Sequence, residues 1–159
     1  MVKILVTYYS RTDHTKHMAE EVAAAAAGSG GVEVECAPVE QVDATSLANY
    51  DGIILGSPTY YGSMAAEVKK LLDESVALHG KLAGRVGGAF SSSANIGGGN
   101  ETTVMDMLKA LLIHGMVVQG SASGDHYGPV AIGDVDERSR KECRKLGASV
   151  AALTVKLRG

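Results

Sequence analysis

The segment Tyr9-Ser10-Arg11-Thr12-Asp13-His14-Thr15 carries the chemistry needed to hold a phosphate monoester. Such a group needs several donors converging on its terminal oxygens. Hydroxyls stand at Ser10, Thr12 and Thr15, and cations at Arg11 and Lys16. A helical pattern starts at about Thr12, so the unpaired N–H groups of a helix start and the positive end of its dipole fall on the same spot. One capping hydroxyl is ordinary at a helix start; three at this spacing exceed what capping requires. The segment is not a Walker loop, because it has no Gly-Lys-Ser/Thr ending. Nor is it a dinucleotide-binding turn: the glycine cluster Gly28 to Gly31 follows a helix, not a strand.

Two further segments have unusual composition. Thr59-Tyr60-Tyr61-Gly62 sets two of the six tyrosines side by side. They can wall a flat ring, with Gly62 allowing close backbone approach, or they can be surface residues of a loop. Ser91 to Gly99 holds three serines and three glycines, which reads either as a flexible polar loop or as a row of backbone donors.

The elements that position these segments alternate strand and helix. Lys3 to Tyr9 is a buried strand, followed by a helix over Thr12 to Ala27 that stops at Gly28. Val32 to Ala37 alternates apolar and acidic residues, as an edge strand does, and a short helical segment is expected around Ala44 to Ala48. Gly52 to Gly56 is a third strand. Ala65 to Leu78 is a helix burying Val68, Leu71, Leu72, Val76 and Leu78. Arg85 to Phe90 is a fourth strand, Glu101 to His114 a helix, and Met116 to Gln119 a fifth strand. A last helix runs from Asp136 to Leu157, with Cys143, Leu146, Gly147, Val150, Ala151, Thr154 and Leu157 on one face. This order predicts a parallel sheet covered on both sides. In such sheets ligands bind beyond the carboxyl ends of the strands, at the point where the winding reverses. That rule selects the loops Ser10 to Thr15, Ser57 to Ser63 and Ser91 to Asn100.

The bulk properties exclude several classes. A net charge of -3 provides no broad basic surface, which argues against nucleic-acid binding. No apolar run approaches the ~20 residues needed to span a bilayer, and the first residues read as a strand and not as a secretory signal. Cys36 and Cys143 are too few for a disulfide framework or a metal cluster. The expectation is one domain over residues 1–159 with reduced thiols, in the cytoplasm.

Tyr8-Tyr9-Ser10-Arg11-Thr12-Asp13-His14-Thr15 resembles the FMN phosphate loop of flavodoxin-like proteins, which usually carry Ser/Thr-x-Thr-Gly-x-Thr there. Gly56-Ser57-Pro58-Thr59-Tyr60-Tyr61-Gly62-Ser63-Met64 resembles the WrbA-type NAD(P)H:quinone oxidoreductases of that superfamily. So do Phe90-Ser91-Ser92-Ser93-Ala94-Asn95-Ile96-Gly97-Gly98-Gly99-Asn100-Glu101 and His114-Gly115-Met116. The similarity runs through almost the whole chain, to Val155-Lys156-Leu157. It departs at Asp13, where the pattern has glycine, in a shorter stretch between the second and third strands, and in the absence of tryptophan.

The resemblance implies a three-layer flavodoxin-like α/β sandwich with a five-stranded parallel sheet of order 2-1-3-4-5. It implies FMN held by Ser10, Arg11, Thr12, Asp13, His14 and Thr15 at the phosphate, and by Pro58, Thr59, Tyr60, Tyr61 and Gly62 along the ring. Ser92, Ser93, Ala94, Asn95, Ile96 and Gly97 would face the pyrimidine edge with backbone N–H groups, with His114 bonding to the same edge. His126 and Tyr127 would lie at the mouth. The activity implied is two-electron transfer from NAD(P)H through FMN to a quinone, in a homodimer or homotetramer. A one-electron carrier and an FMN-dependent sensor are the alternatives; the mild charge of -3 argues against the carrier, which commonly docks through a strongly acidic surface.

Overall fold

Phe90 and Gly56 show how tightly the two central strands are fitted. A Cβ at Gly56 would run into the Phe90 ring, and that ring is fully buried. These residues face each other across β3 (Gly52–Tyr60) and β5 (Val86–Ser93) in a computed structural model that describes residues 1–159. β1 (Val2–Tyr8) pairs in parallel with β3 on one side and with β2 (Val32–Pro38) on the other. The fifth position is divided: β6 (Val117–Val118) pairs with the start of β5, and β7 (Val130–Ile132) with its end. The order β2-β1-β3-β5-β6 is the 2-1-3-4-5 arrangement, with the fifth strand interrupted by residues 119–129.

Helices cover both faces. α1 (His14–Ala27) and α4 (Glu137–Arg158) lie on one side, over a core of Ile4, Val6, Met18, Val22, Ile54, Phe90 and Val150. Their axes approach closely because Gly147 has no side chain; a Cβ there would strike the Val22 carbonyl oxygen. α2 (Ala66–Glu74) and α3 (Asn100–Ile113) cover the other side, over Leu5, Ile53, Leu55, Val68, Leu71, Met107 and Leu111. The strands that are central in the sheet are apolar on both faces for this reason.

Three expectations need correction. The helix expected to Leu78 ends at Glu74 and tightens into a 3-10 turn over Ser75–Leu78. The change of pitch rotates Val76 out of the stripe, and it is exposed. β3 and β5 continue past Gly56 and Phe90 into segments rich in Ser and Pro, because each is flanked by strands that satisfy its backbone. Val130–Ile132, which the residue pattern assigns to no element, is β7.

Candidate functional site

The first loop is built by the start of α1. Asp13 is its N-cap residue, with φ 68 and ψ -4 in the left-handed region and no hydrogen bond from its side chain. The Asp13 carbonyl accepts from His17 N–H at 2.9 Å, and Ser10 Oγ accepts from Lys16 N–H at 3.2 Å. The N–H groups of His14 and Thr15 precede the first intrahelical bond and stay free for an anion. Thr15 is buried, its Oγ1 hydrogen-bonded to Ser92 Oγ at 2.9 Å, which ties the first loop to β5 across 77 residues of chain. The left-handed backbone at Asp13 explains why glycine suits this position.

Ser10, Arg11, Thr12, His14 and Thr15 line one end of a cleft of about 480 Å³. Pro58, Thr59 and Tyr60 form one wall, and Ser92, Ser93, Ala94 and Gly133 the rest. No carboxylate lines it. Asp13 is exposed and outside the lining, so its charge is turned from the place a phosphate would take.

The wall at Tyr60 is held from behind. Thr59 pairs with Met64 and Tyr60 with Ser63, forming a two-residue hairpin to β4 (Ser63–Met64). Its turn residues Tyr61 and Gly62 have φ 51 and 79, the left-handed pair that a tight hairpin requires. For a tyrosine this conformation is strained, and the Tyr61 side chain projects fully into solvent. The tip is pinned to α3: Thr102 Oγ1 donates to the Gly62 carbonyl at 2.7 Å and Ser63 Oγ to Asp106 Oδ2 at 2.7 Å. A Cβ on Gly99 would stand 2.7 Å from Gly62 Cα, so only glycine lets these loops meet. Tyr60 packs edge-on against Tyr9, with centroids 6.4 Å apart. Burial pushes its hydroxyl pKa up, while Arg11 beside it pulls the other way.

Ser91, Ser92 and Ser93 are buried strand residues and not parts of a flexible loop. Thr59 Oγ1 and Ser91 Oγ are hydrogen-bonded at 3.0 Å, and Asn100 Nδ2 donates to Ser93 Oγ at 3.0 Å. Asn95, Ile96 and Gly97 form an exposed turn beyond the cleft lining, with Gly97 at φ 69. Ile96 is 89% exposed, a large apolar residue at the rim.

His114 does not belong to this site. α3 starts beside Ser93 and runs 14 residues, about 21 Å, toward the opposite end of the sheet. His114 is buried there, Nε2 hydrogen-bonded to Ser75 Oγ at 2.7 Å, while Gly115 O accepts from Gly84 N–H ahead of β5. Because the Ser75 hydroxyl already donates to Leu72 O, His114 Nε2–H must be the donor, leaving Nδ1 bare. Burial, and His79 nearby, lower its pKa.

Two contributions escaped the sequence reading. Gly133, at φ 69, closes the cleft and donates its N–H to Ser93 O at 2.8 Å. The next residue, Asp134, pairs with His17 Nδ1 at 2.9 Å, linking α1 to the end of β7. A glycine following Val130-Ala131-Ile132 was the available signal, visible once those residues are taken as a strand. His126 bonds through Nδ1 to Ser121 O at 2.7 Å, and Tyr127 is half exposed; both line a cavity of about 30 Å³ under the 119–129 loop, apart from the cleft.

A hydroxyl-lined cradle at a helix start, joined to a half-apolar slot of this volume, fits a flat ring system bearing a terminal phosphate. On a doubly wound sheet of order 2-1-3-4-5, that site defines a flavodoxin-like FMN protein. The chain belongs to this family, with the model for NADPH-dependent FMN reductase matching residues 37–128 and curated flavodoxins matching almost end to end. It is 34% identical over 155 residues to a flavodoxin of Clostridium saccharobutylicum, covering 94% of this chain and 96% of that one. With an Aquifex aeolicus flavodoxin it shares 38% over 159 residues, covering 95% and 86%. Among solved structures it resembles a WrbA-like flavodoxin from Agrobacterium tumefaciens, with TM-score 0.81, 26% identity and coverage of 99% and 100%. No helix is long and apolar enough to cross a membrane.

Proposed function

We propose that the chain is an FMN-dependent oxidoreductase that takes hydride from NAD(P)H and delivers two electrons to a quinone. The observation that carries the reading is the cleft, which joins a phosphate cradle to an aromatic wall and has no carboxylate in its lining. Ser10, Thr12 and Thr15, with the free N–H groups at the start of α1, would hold the phosphate. Tyr60, backed by Tyr9 and the pinned hairpin, would hold the ring in place. The backbone from Ser92 to Gly97 would offer donors to its polar edge, with Ser92 and Ser93 fixed by Thr15 and Asn100. When bound, the flavin supplies the hydride and electron chemistry; the protein supplies binding, orientation and charge.

The fully exposed Tyr61 and Ile96 at the rim, with nothing in the chain covering them, support a homodimer or homotetramer in which a neighbouring copy walls the open ring face. The names of the curated relatives favour a second reading, a one-electron carrier. Oxidation of NADH and NADPH by FMN-loaded protein, with and without benzoquinone, separates the two. Quinone-dependent turnover supports the enzyme. No turnover, together with a half-reduced flavin that accumulates during dithionite titration, assigns the carrier.

A further inference from the structure

We infer that the Arg138–Asp125 ion pair positions one corner of the flavin cleft, standing in along the open edge of β7 for a strand the sheet does not have. The inference rests on the FMN reading above, through Gly133, the cleft residue that directly follows β7. β7 is three residues long and pairs on one side only, with β5. On that side Pro129 O accepts from Ser91 N–H at 3.0 Å, and Gly133 N–H donates to Ser93 O at 2.8 Å. Backbone groups alternate in direction along a strand, so residues 129, 131 and 133 address β5 while Val130 addresses the open edge. Such an edge ordinarily leaves its N–H and C=O groups unpaired. Here both groups of Val130 are taken. Its N–H donates to Asp125 Oδ2 at 2.9 Å, and its carbonyl accepts from Arg138 Nη2. Arg138 Nη1 also donates to Asp125 Oδ1 and Oδ2, at 2.8 and 3.0 Å. The carboxylate and the guanidinium together supply the acceptor and the donor that a neighbouring strand would supply.

The clamp is anchored on α4. Arg138 lies in its first turn, which a reciprocal cap fixes: Ser139 N–H donates to Asp136 Oδ1 at 2.7 Å and Asp136 N–H to Ser139 Oγ at 2.9 Å. One turn on, Glu142 Oε2 accepts from Asp125 N–H at 3.2 Å, and beyond it Lys145 Nζ donates to Ser123 Oγ at 2.9 Å. Arg138, Glu142 and Lys145 share one face of the helix, so one element grips both the Asp125 side chain and the backbone of the 119–129 loop. A Cβ on Gly124 would run into the Glu142 carboxylate. Arg138 is half exposed, but the Asp125 side chain is only 15% exposed, which shields the pair better than an ordinary surface bridge.

The consequence falls at the far end of β7. Gly133 lines the cleft together with Ser93 and His14, and Asp134 follows with its bond to His17 of α1. Without the clamp β7 is held to the sheet through β5 alone, and the docked state that presents Gly133 to the cleft is less populated. Apparent affinity for the flavin falls with that population. Arg138 and Asp125 are outside the cleft lining, so they act as positioning residues, through Val130 and Gly133.

The test compares wild type with Arg138→Gln, Arg138→Lys, Asp125→Asn, the double variant Asp125→Asn/Arg138→Gln, and Lys141→Gln, an exposed α4 cation that serves as the charge control. Two quantities are measured: the dissociation constant of FMN by fluorescence quenching, and amide exchange at Gly133 relative to the amides of β1 in FMN-saturated protein. Arg138→Gln and Asp125→Asn should each weaken FMN about fivefold, the factor expected if β7 is docked about a fifth of the time without the clamp. Exchange at Gly133 should quicken while β1 stays as in wild type. The double variant should lose no more than the worse single one, because one clamp is broken once. Arg138→Lys keeps the charge but not the fork that reaches both Asp125 and the Val130 carbonyl, so it should behave more like Arg138→Gln than like wild type. Lys141→Gln should change neither quantity. Unchanged FMN affinity in Arg138→Gln overturns the inference. An equal loss in Lys141→Gln also overturns it, by making the effect one of charge, as does exchange that quickens at Gly133 and β1 alike, by making it a general loss of stability. If wild-type protein takes up no FMN, the functional reading fails and this inference with it; if FMN binds wild type and Arg138→Gln equally well, only this inference falls.

Discussion

Replacing Asp13 tests whether the first loop holds a phosphate. Asp13 sits at the N-cap of α1 with φ 68, and its side chain makes no hydrogen bond there. Two effects separate cleanly. Asp13→Gly relieves a left-handed backbone that costs an L-residue about 1 kcal/mol, less for Asp, while glycine costs a similar amount in unfolded-chain entropy. Stability should therefore move by less than about 0.5 kcal/mol. Removing the charge acts on binding. Although the side chain is turned outward, one charge about 8 Å from a dianion in water is still worth at most about 1 kcal/mol, reduced to about 0.4 by physiological salt. Asp13→Gly and Asp13→Asn should both tighten FMN two- to fivefold at low ionic strength, the gain shrinking as salt is added. Quenching of flavin fluorescence across a salt series measures it. Weaker FMN binding by Asp13→Asn, which keeps the shape and tolerates the same backbone, would refute the reasoning, as would a gain indifferent to salt.

The same titration with riboflavin should show much weaker binding than FMN, since the cradle of Ser10, Thr12 and Thr15 then has no phosphate to hold; equal affinities would remove the cradle from the site. Gly147→Ala should lower the urea midpoint by the equivalent of 1–3 kcal/mol, because the added methyl meets the Val22 carbonyl and forces α1 from α4; an unchanged or raised midpoint contradicts the close approach. His17 has its pKa raised by its hydrogen bond to Asp134, so the pair's contribution is present below the ordinary histidine value and lost as pH rises through the raised one. His17→Gln should thus cost a few tenths of a kcal/mol at pH 6 and nothing at pH 8.5, a small effect because both side chains are nearly half exposed; equal cost at both pH values would assign the loss to packing. Light scattering of the FMN-loaded protein over a dilution series should show a dimer or tetramer, and a monomer that reduces quinone at full rate ends the shared-cavity idea.

The sheet order was legible because each central strand is a short apolar run and each crossover carries a helical period. What the residue pattern hid was the length of β3 and β5. Ser57-Pro58-Thr59 and Ser91-Ser92-Ser93 have loop composition, yet they lie in register, Ser57 opposite Ser91 and Pro58 opposite Ser92. Neighbouring strands satisfy their backbones, and the hydroxyls satisfy one another or nearby groups: Ser91 with Thr59, Ser92 with Thr15, Ser93 with Asn100. Propensity scores a residue alone, whereas these serines are stable as strand only because a partner from elsewhere meets each one. Val130–Ile132 escaped for the same reason: three residues after Gly128-Pro129 become a strand only against the end of β5.

His114 shows the limit of carrying a position over by resemblance. His114-Gly115 does end a helix, but the helix starts at the cleft, so its last residue lies a full helix length from it. Direction along the fold decides this. In a parallel sheet the helix following a strand starts at the carboxyl end of that strand and returns, which places helix starts beside ligands and helix ends far from them. The rule brings Asp13 and Gly99, the N-cap residues of α1 and α3, to the same end of the sheet as the cleft, both at positive φ. It assigns His114 to stability instead. Its bare Nδ1 and depressed pKa mean that folding is favoured while the ring is neutral, and that this stability is lost as pH falls below the ordinary histidine value. Acid should therefore destabilise through His114 in the range where His17 stabilises, and only His17, through Asp134, is mechanically connected to the phosphate end of the cleft.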